Sequence, residues 1–221
     1  MIVFENVTKV YKTSDKRKVI LDNVSFALPR GVNLGIIGSN GSGKSTIMRL
    51  IAGVELPDSG TIRRGCNVSF PLGFSGTFAG SMSGRENAIF LARVYGADVR
   101  YVLQYAQEFA ELGDYFDMPV QTYSSGMRAR LAFGVSIAID FDVYLVDEVT
   151  AVGDARFQER SKAALLSRFS TSDVIMVSHS TEVIKEYCKY VAVLDKGHMT
   201  FHDDLDEANR AHRANMGLAP L

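Results

Sequence analysis

The sequence predicts an α/β fold in which short buried strands alternate with helices around one core. Three observations lead to this prediction. The runs at 143–146 and 174–177 are short, wholly apolar and rich in β-branched residues, as parallel strands covered on both faces are. Residues 86–95 and 99–112 have the spacing of apolar residues that helices show. A glycine-rich loop at 38–43 joins an apolar strand to a helix.

The predicted elements follow one another in a simple order. Residues 2–4 and 19–28 predict two strands around a polar hairpin at 13–18. A strand at 33–37 enters the glycine-rich loop, and the helix at 46–52 leaves it and can end at Gly53. The other predicted elements are strands at 61–62, 68–70, 190–194 and 199–201, a turn at 196–198 and a helix at 204–214.

Composition excludes several classes of protein. The 221 residues, 47% of them hydrophobic, can bury one sizeable core with a small subdomain. With 24 basic and 25 acidic residues there is no basic excess that would indicate nucleic acid. Cys66 and Cys188 lack the spacing of metal ligands, and we expect free thiols in a reducing compartment. Because neither a signal peptide nor a membrane-spanning apolar run is evident, we expect a cytosolic chain whose membrane contact comes through a partner.

The glycine-rich loop fits the pattern G-x-x-x-x-G-K-[ST], which is typical of loops that bind nucleoside triphosphates. Glycines let backbone N–H groups wrap around phosphate oxygens, and the helix N-terminus adds partial positive charge. Lys44 can reach the β- and γ-phosphates, and the Ser45 hydroxyl can bind Mg²⁺. A glycine-rich turn beside a surface lysine is the alternative, but strand, loop and helix in sequence favour a phosphate loop. The predicted nucleotide-binding residues are Gly38, Ser39, Asn40, Gly41, Ser42, Gly43, Lys44, Ser45 and Thr46.

Two acidic residues follow the buried strand at 143–146. In phosphate-loop NTPases an acid at this strand end holds the Mg²⁺ ion, and we predict this role for Asp147. Glu148 is then placed to orient or deprotonate an attacking water molecule. The alternative is a pair of acids that caps a following helix.

The segment 122–128, with the sequence Thr-Tyr-Ser-Ser-Gly-Met-Arg, resembles the signature loop of ATP-binding cassette proteins. That loop usually reads Leu-Ser-Gly-Gly-Gln; three positions differ here, but Ser124 and Gly126 keep the hydroxyl and the small residue. The resemblance implies that Ser124, Ser125 and Gly126 bind the γ-phosphate of the ATP held by a second subunit. The alternative is an ordinary helix capped by serine.

Three further matches support this resemblance. Residues 151–154, ending in Asp154, resemble the D-loop of the family. Ser178-His179 ends an apolar strand and resembles the switch histidine that contacts the γ-phosphate, although a lone histidine at a strand end is usually structural. Tyr11 stands where the family has an aromatic residue that stacks on adenine, and the alternative is a tyrosine in the core.

One element that most members of the family have is missing, and its absence limits the resemblance to a smaller group of cassettes. Most cassettes have a glutamine in the loop before the helical subdomain, where it binds Mg²⁺ and senses the membrane partner, but residues 70–78 contain none. Residues 74–78, 83–87, 123–131 and 147–157 resemble the cassettes of bacterial surface-polysaccharide exporters. The roughly 42 residues after His179 lead us to expect no added C-terminal domain, so the chain looks most like a capsular polysaccharide export ATPase.

The resemblance implies one nucleotide-binding domain over residues 1–221, with a helical subdomain inserted at about 74–125. It would bind ATP and Mg²⁺, with Lys44, Glu148 and His179 in catalysis and Ser45 and Asp147 at the metal. Expected partners are a second copy, an integral membrane permease and periplasmic export components, but no nucleic acid. The chain would lie on the cytoplasmic face of the bacterial inner membrane.

Other functions stay open at this point. They are a related ATPase that moves a drug or a lipid, a soluble cassette that acts on ribosomes or DNA, and a nucleotide-binding module without turnover. We also expect the segment 73–78 to contact the permease through Phe74 and Phe78, the alternative being that both rings pack in the core of this chain.

Overall fold

The computed structural model describes residues 1–12, 15–72, 78–147, 155–178 and 181–218, and the statements below concern these residues. They form two compact units. The first comprises the described parts of Met1–Pro71, Asp142–Glu148 and Asp173–Leu221, and the second those of Leu72–Phe141 and Val149–Ser172.

In chain order the elements are β1 (Ile2–Lys12), β2 (Arg17–Leu28), β3 (Leu34–Gly38), α1 (Lys44–Ala52), β4 (Ser59–Arg64), α2 (Gly84–Val94), α3 (Val99–Ala110), α4 (Ser125–Ala138), β5 (Val143–Asp147), α5 (Ala155–Phe169), β6 (Asp173–Val177), α6 (Thr181–Tyr187), β7 (Tyr190–Asp195), β8 (His198–His202) and α7 (Leu205–Asn215).

A three-stranded antiparallel sheet in the order β2-β1-β4 forms one part of the first unit. Ile2, Phe4 and Val7 of β1 are buried, and Phe4 stacks on Phe26 of β2 with ring centroids 4.3 Å apart. The predicted hairpin is therefore present. The strands are longer than the apolar runs suggested, because cross-strand pairing continues through Tyr11 opposite Lys18 to Lys12 opposite Arg17.

A five-stranded sheet in the order β5-β6-β3-β7-β8 forms the rest of the core of this unit. The first four strands are parallel, and β8 pairs antiparallel with β7. The carboxyl ends of the parallel strands meet at one edge, where Gly38 ends β3 and Asp147 of β5 pairs with Val177 of β6. In open α/β sheets this is the edge where ligands bind.

Two central parallel strands were predicted. The prediction is correct for β6 but not for β5, which is an edge strand of the sheet. The strand expected at 68–70 is reduced to a single parallel bridge between Val68 and Val143. The Ser69 hydroxyl accepts a hydrogen bond from the backbone N–H of Leu145 at 2.9 Å. A side-chain oxygen thus takes the place of the carbonyl that a paired strand would offer to this N–H. Pro71 then has no N–H to continue the pairing.

The second unit is helical and has its own aromatic core. The predicted helices appear as α2 and α3, and α2 begins with a capping box between Ser83 and Glu86. Phe109 of α3 lies 5.5 Å from Phe133 of α4 and 5.4 Å from Phe157 of α5, between ring centroids. The unit thus includes α4 and α5 besides the predicted insertion at 74–125, whose boundaries stay a prediction. No helix in the described ranges combines the length and the apolar run that a membrane crossing requires.

The C-terminal end of α1 is held by β4. Gly53 ends the helix in the left-handed conformation, φ 77°, as predicted. The Arg64 guanidinium donates to the carbonyl oxygens of Leu50 and Ile51, the latter at 2.7 Å. These bonds satisfy helix carbonyls that have no partner within the helix.

Arg64→Ala is expected to lower the free energy of unfolding by about 1–3 kcal/mol, because it removes the donor to the Ile51 carbonyl and leaves the Leu50 carbonyl with only the Gly53 N–H. The adjacent Arg63→Ala removes only an exposed ion pair with Glu5, and should cost less than about 1 kcal/mol. Urea unfolding of both variants, followed by circular dichroism, measures the difference. Equal stability of the two variants would contradict the structural role given to Arg64.

Candidate functional site

The loop between β3 and α1 has a tight shape that depends on glycine. The backbone N–H of Ser42 donates to the Ser39 carbonyl at 3.1 Å, and α1 begins directly after Gly43. Gly43 has a φ of 115°, and a Cβ atom there would lie 2.4 Å from Cγ2 of Ile20. A larger residue would therefore strain the backbone and collide with β2.

Lys44 folds back over this loop. Its side chain is 8% exposed, and its ammonium group donates to the carbonyl oxygens of Gly38 at 2.7 Å and Ser39 at 3.1 Å. Both acceptors are neutral, so these bonds orient the charge without cancelling it. The loop thus presents backbone N–H groups, a helix N-terminus and a fixed cation at one place, which suits phosphate.

A cavity of about 330 Å³ opens at this loop, within the first unit. Its size lies at the lower end of the range for small-molecule sites. Its lining residues are Tyr11, Lys18, Ile20, Asn40, Gly41, Gly43, Lys44, Ser45, Thr46, Asp147 and Val177. The structure therefore brings eight of the predicted site residues together around one space.

Three predicted loop residues are absent from that lining and have other positions. Gly38 and Ser39 supply the carbonyl oxygens that hold Lys44. The Ser42 hydroxyl is buried and has no hydrogen-bond partner among the described residues. A buried hydroxyl without a partner is costly, and an ion or a water molecule held in the loop would satisfy it.

The predicted metal ligands fit Mg²⁺ in kind and in place. Ser45 lies in the first turn of α1 and Asp147 ends β5, and both line the cavity. A hydroxyl and a carboxylate are the oxygen ligands that Mg²⁺ accepts, usually with water and phosphate oxygens completing the shell.

Tyr11 lies at the cavity and not in the core, since 37% of it is exposed. Its hydroxyl donates to Oε1 of Glu55 at 2.6 Å and accepts from Nη2 of Arg49 at 3.0 Å. Lys9 completes the group with an ion pair to Glu55 at 3.0 Å. The ring is thus tied to α1 and to the loop that follows it.

The charged members of this network stabilise one another. Burial alone would raise the pKa of Glu55, but hydrogen bonds from Tyr11, Lys9 and Arg49 lower it overall. Burial alone would lower the pKa of Arg49, but hydrogen bonds with Tyr11 and Glu55 raise it overall. Both groups therefore stay ionised at neutral pH and keep the Tyr11 hydroxyl in place.

Sequence reasoning missed three residues of the cavity. Ile20 and Val177 belong to apolar strand runs, which carry no sign of a binding role. Lys18 was assigned to a polar turn, but it lies in β2 and pairs with Tyr11 of β1. The register of the hairpin, with Tyr11 already selected, was the signal that could have found it.

The signature-like segment lies in the second unit. Ser124 caps α4, and its hydroxyl accepts the backbone N–H of Met127 at 3.2 Å. Ser124 and Ser125 are exposed, and Gly126 is half-buried. The predicted site residues Glu148, Asp154 and His179 lie outside the described residues, as does segment 73–77 with Phe74; Phe78 is half-buried.

Comparison with known proteins identifies relatives along most of the chain. A family profile described as ABC transporter matches residues 21–151. The chain is 48% identical over 208 residues to the capsule polysaccharide export ATP-binding protein CtrD of Neisseria meningitidis serogroup B, covering 94% of this chain and 96% of that protein. It is 46% identical over 211 residues to the polysialic acid transport ATP-binding protein KpsT of Escherichia coli, with the same coverage.

A solved structure agrees with the fold. The ATP-binding cassette MJ0796, in a dimeric post-hydrolysis state bound to ADP and phosphate, matches with a TM-score of 0.70. The match covers 90% of this chain and 98% of that chain at 21% sequence identity. The predicted fold class and the predicted family are both confirmed: the chain belongs to the ABC transporter family.

Proposed function

We propose that this chain is the ATP-hydrolysing subunit of an exporter that moves capsular or related surface polysaccharide across the inner membrane. The observation that carries the proposal is its 46–48% identity, over 94% of its length, to proteins named for capsule polysaccharide export and polysialic acid transport. These names favour a polysaccharide, and not a drug or a lipid, as the substance that the exporter moves. They also favour a transport role over a cassette that acts on ribosomes or DNA.

The cavity supports ATP as the nucleotide. Tyr11 would stack on adenine at one end, while the loop and Lys44 would hold the phosphates at the other. Ser45 and Asp147 would hold Mg²⁺, which neutralises charge on the phosphates when bound. From its place in the sequence directly after Asp147, Glu148 would orient the attacking water, and His179 and Asp154 would complete the site.

A second copy of the chain would complete each site. Ser124 caps α4, and Ser125 and Gly126 begin this helix of 14 residues, whose N-terminus suits a phosphate group. The family places this loop against the ATP of the other subunit, and the match to a dimeric cassette supports the same arrangement. ATP would then hold two chains together, and hydrolysis would release them.

The membrane part of the exporter would be a separate permease. The chain would bind it from the cytoplasmic face, with segment 73–78 as the contact, and periplasmic components would continue the export path. Two phenylalanines that flank the small residues 75–77 suit apolar packing, with room for a short partner helix between the rings.

Lys44→Ala is expected to abolish measurable ATP binding, because the backbone amides of the loop alone do not neutralise a triphosphate. Nucleotide titration of the purified chain measures this loss. Lys162→Ala removes a lysine from the exposed surface of α5 and serves as the control, with wild-type affinity expected. Unchanged ATP affinity of the Lys44 variant would contradict the assignment of the phosphate loop.

The same two variants test the export role in the native host. Cells that carry only the Lys44→Ala chain should lose surface polysaccharide, whereas the Lys162→Ala cells should keep it. Normal surface polysaccharide in cells whose chain binds no ATP would refute the export function. The assignment of the nucleotide site would still hold, because it is tested separately by the titration.

Ser124 is expected to act on the nucleotide of the other copy. Ser124→Arg chains and Lys44→Ala chains should each be inactive alone, since each homodimer lacks one component of both sites. Mixing them should restore ATP hydrolysis, because a heterodimer contains one complete site. Hydrolysis that stays at the level of the separate variants at every mixing ratio would contradict a shared site.

A further inference from the structure

Lys18 occupies a place at the cavity that its position in a polar hairpin does not suggest. It lies directly opposite Tyr11 in the antiparallel pairing of β1 and β2. Residues opposite one another in such a pair have their side chains on the same face of the sheet. Lys18 therefore lines the cavity beside the residue proposed to stack on adenine.

The ammonium group of Lys18 reaches the phosphate loop. Its Nζ atom lies 3.3 Å from the position that a Cβ atom would take on Gly41. Gly41 is exposed and lines the cavity, so this part of the loop is open to a ligand. The loop thus has two cations next to it, Lys44 from α1 and Lys18 from β2.

The ammonium group of Lys18 makes no hydrogen bond or ion pair with any of the residues that the structure describes. Its neighbours in the network around Tyr11 behave differently, since Lys9 and Arg49 are both paired with Glu55. An exposed lysine gains little by lying over a backbone loop and is better solvated in water. Its position is explained if an anion occupies the adjacent space.

We infer that Lys18 is a second phosphate-binding cation of this site and contacts the phosphates nearest the ribose. The inference rests on the proposed function, because the anion is the polyphosphate chain of a nucleotide. Ser45 and Asp147 mark the end of the cavity where the terminal phosphate and its metal belong. Lys18 stands beside Tyr11 at the base end and over Gly41, so its partner is the part that ADP and ATP share.

Titration of Lys18→Met with ATP and with ADP, in the presence of EDTA, tests this assignment. Both nucleotides should bind roughly fivefold more weakly than to the wild type, as expected for one partly exposed ion pair. Lys12→Met is the matched control, because Lys12 is an exposed lysine of the same hairpin that does not line the cavity. The ATP and ADP affinities of the Lys12 variant should stay within about twofold of the wild type, since successive side chains of a strand point to opposite faces and Lys12 is exposed to water.

Two further measurements separate a direct contact from a structural effect. Lys18→Arg should bind ATP and ADP with most of the wild-type affinity, because arginine keeps the positive charge and a side chain of similar length. The difference between wild type and Lys18→Met should shrink as the salt concentration rises. If the weaker binding arose from misfolding, Lys18→Arg would bind as weakly as Lys18→Met, and the difference from the wild type would not depend on salt. That result would overturn the inference.

The outcomes distinguish this inference from the proposed function. If the wild type binds neither nucleotide, both fail. If the wild type binds and Lys18→Met behaves like Lys12→Met, the inference alone is wrong. A loss for ATP without a loss for ADP would also overturn it, because Lys18 would then act on the terminal phosphate.

Discussion

The two hydrogen bonds from the Lys44 ammonium group to the carbonyls of Gly38 and Ser39 hold the loop on which the whole site depends. They join the first residue of α1 to the end of β3, and so fix the loop between two rigid elements. The close approach of Gly43 to Ile20 allows no larger residue at the start of the helix. A phosphate site formed in this way needs little rearrangement when it binds nucleotide, which favours affinity.

The three-stranded sheet supplies Tyr11, Lys18 and Ile20 to the cavity lining, and hydrogen bonds that involve charged side chains connect this sheet to α1. Glu55 and Arg49 bind the Tyr11 hydroxyl, and Arg64 binds the last carbonyls of the helix. These contacts connect β1 and β4 to the C-terminal part of the same helix, whose N-terminus closes the phosphate loop. The base end and the phosphate end of the cavity are therefore positioned by one element, α1, which explains why a hairpin far from the loop in sequence contributes to the site.

The sequence predicted those features whose structure is determined by a few adjacent residues. The loop residues, the buried parallel strands and the helix stop at Gly53 each depend on a few adjacent residues, and each was predicted. The place of β5 at the end of its sheet was not, because a hydroxyl, Ser69, replaces the expected strand pairing. Lys18 was missed because its place depends on hairpin register. The roles of Glu148, Asp154 and His179 are still predictions from sequence.

A crystal structure of the chain with Mg²⁺ and a slowly hydrolysed ATP analogue would show whether the loop binds nucleotide as it is folded here. We expect the β- and γ-phosphates within hydrogen-bond distance of the loop amides and of Lys44 Nζ. We also expect Mg²⁺ at the Ser45 hydroxyl with Asp147 beside it, adenine against Tyr11, and the loop backbone between Gly38 and Thr46 essentially unchanged. A nucleotide bound away from this loop, or a loop refolded around the nucleotide with Lys44 turned to solvent, would show that the loop is not a preformed phosphate site.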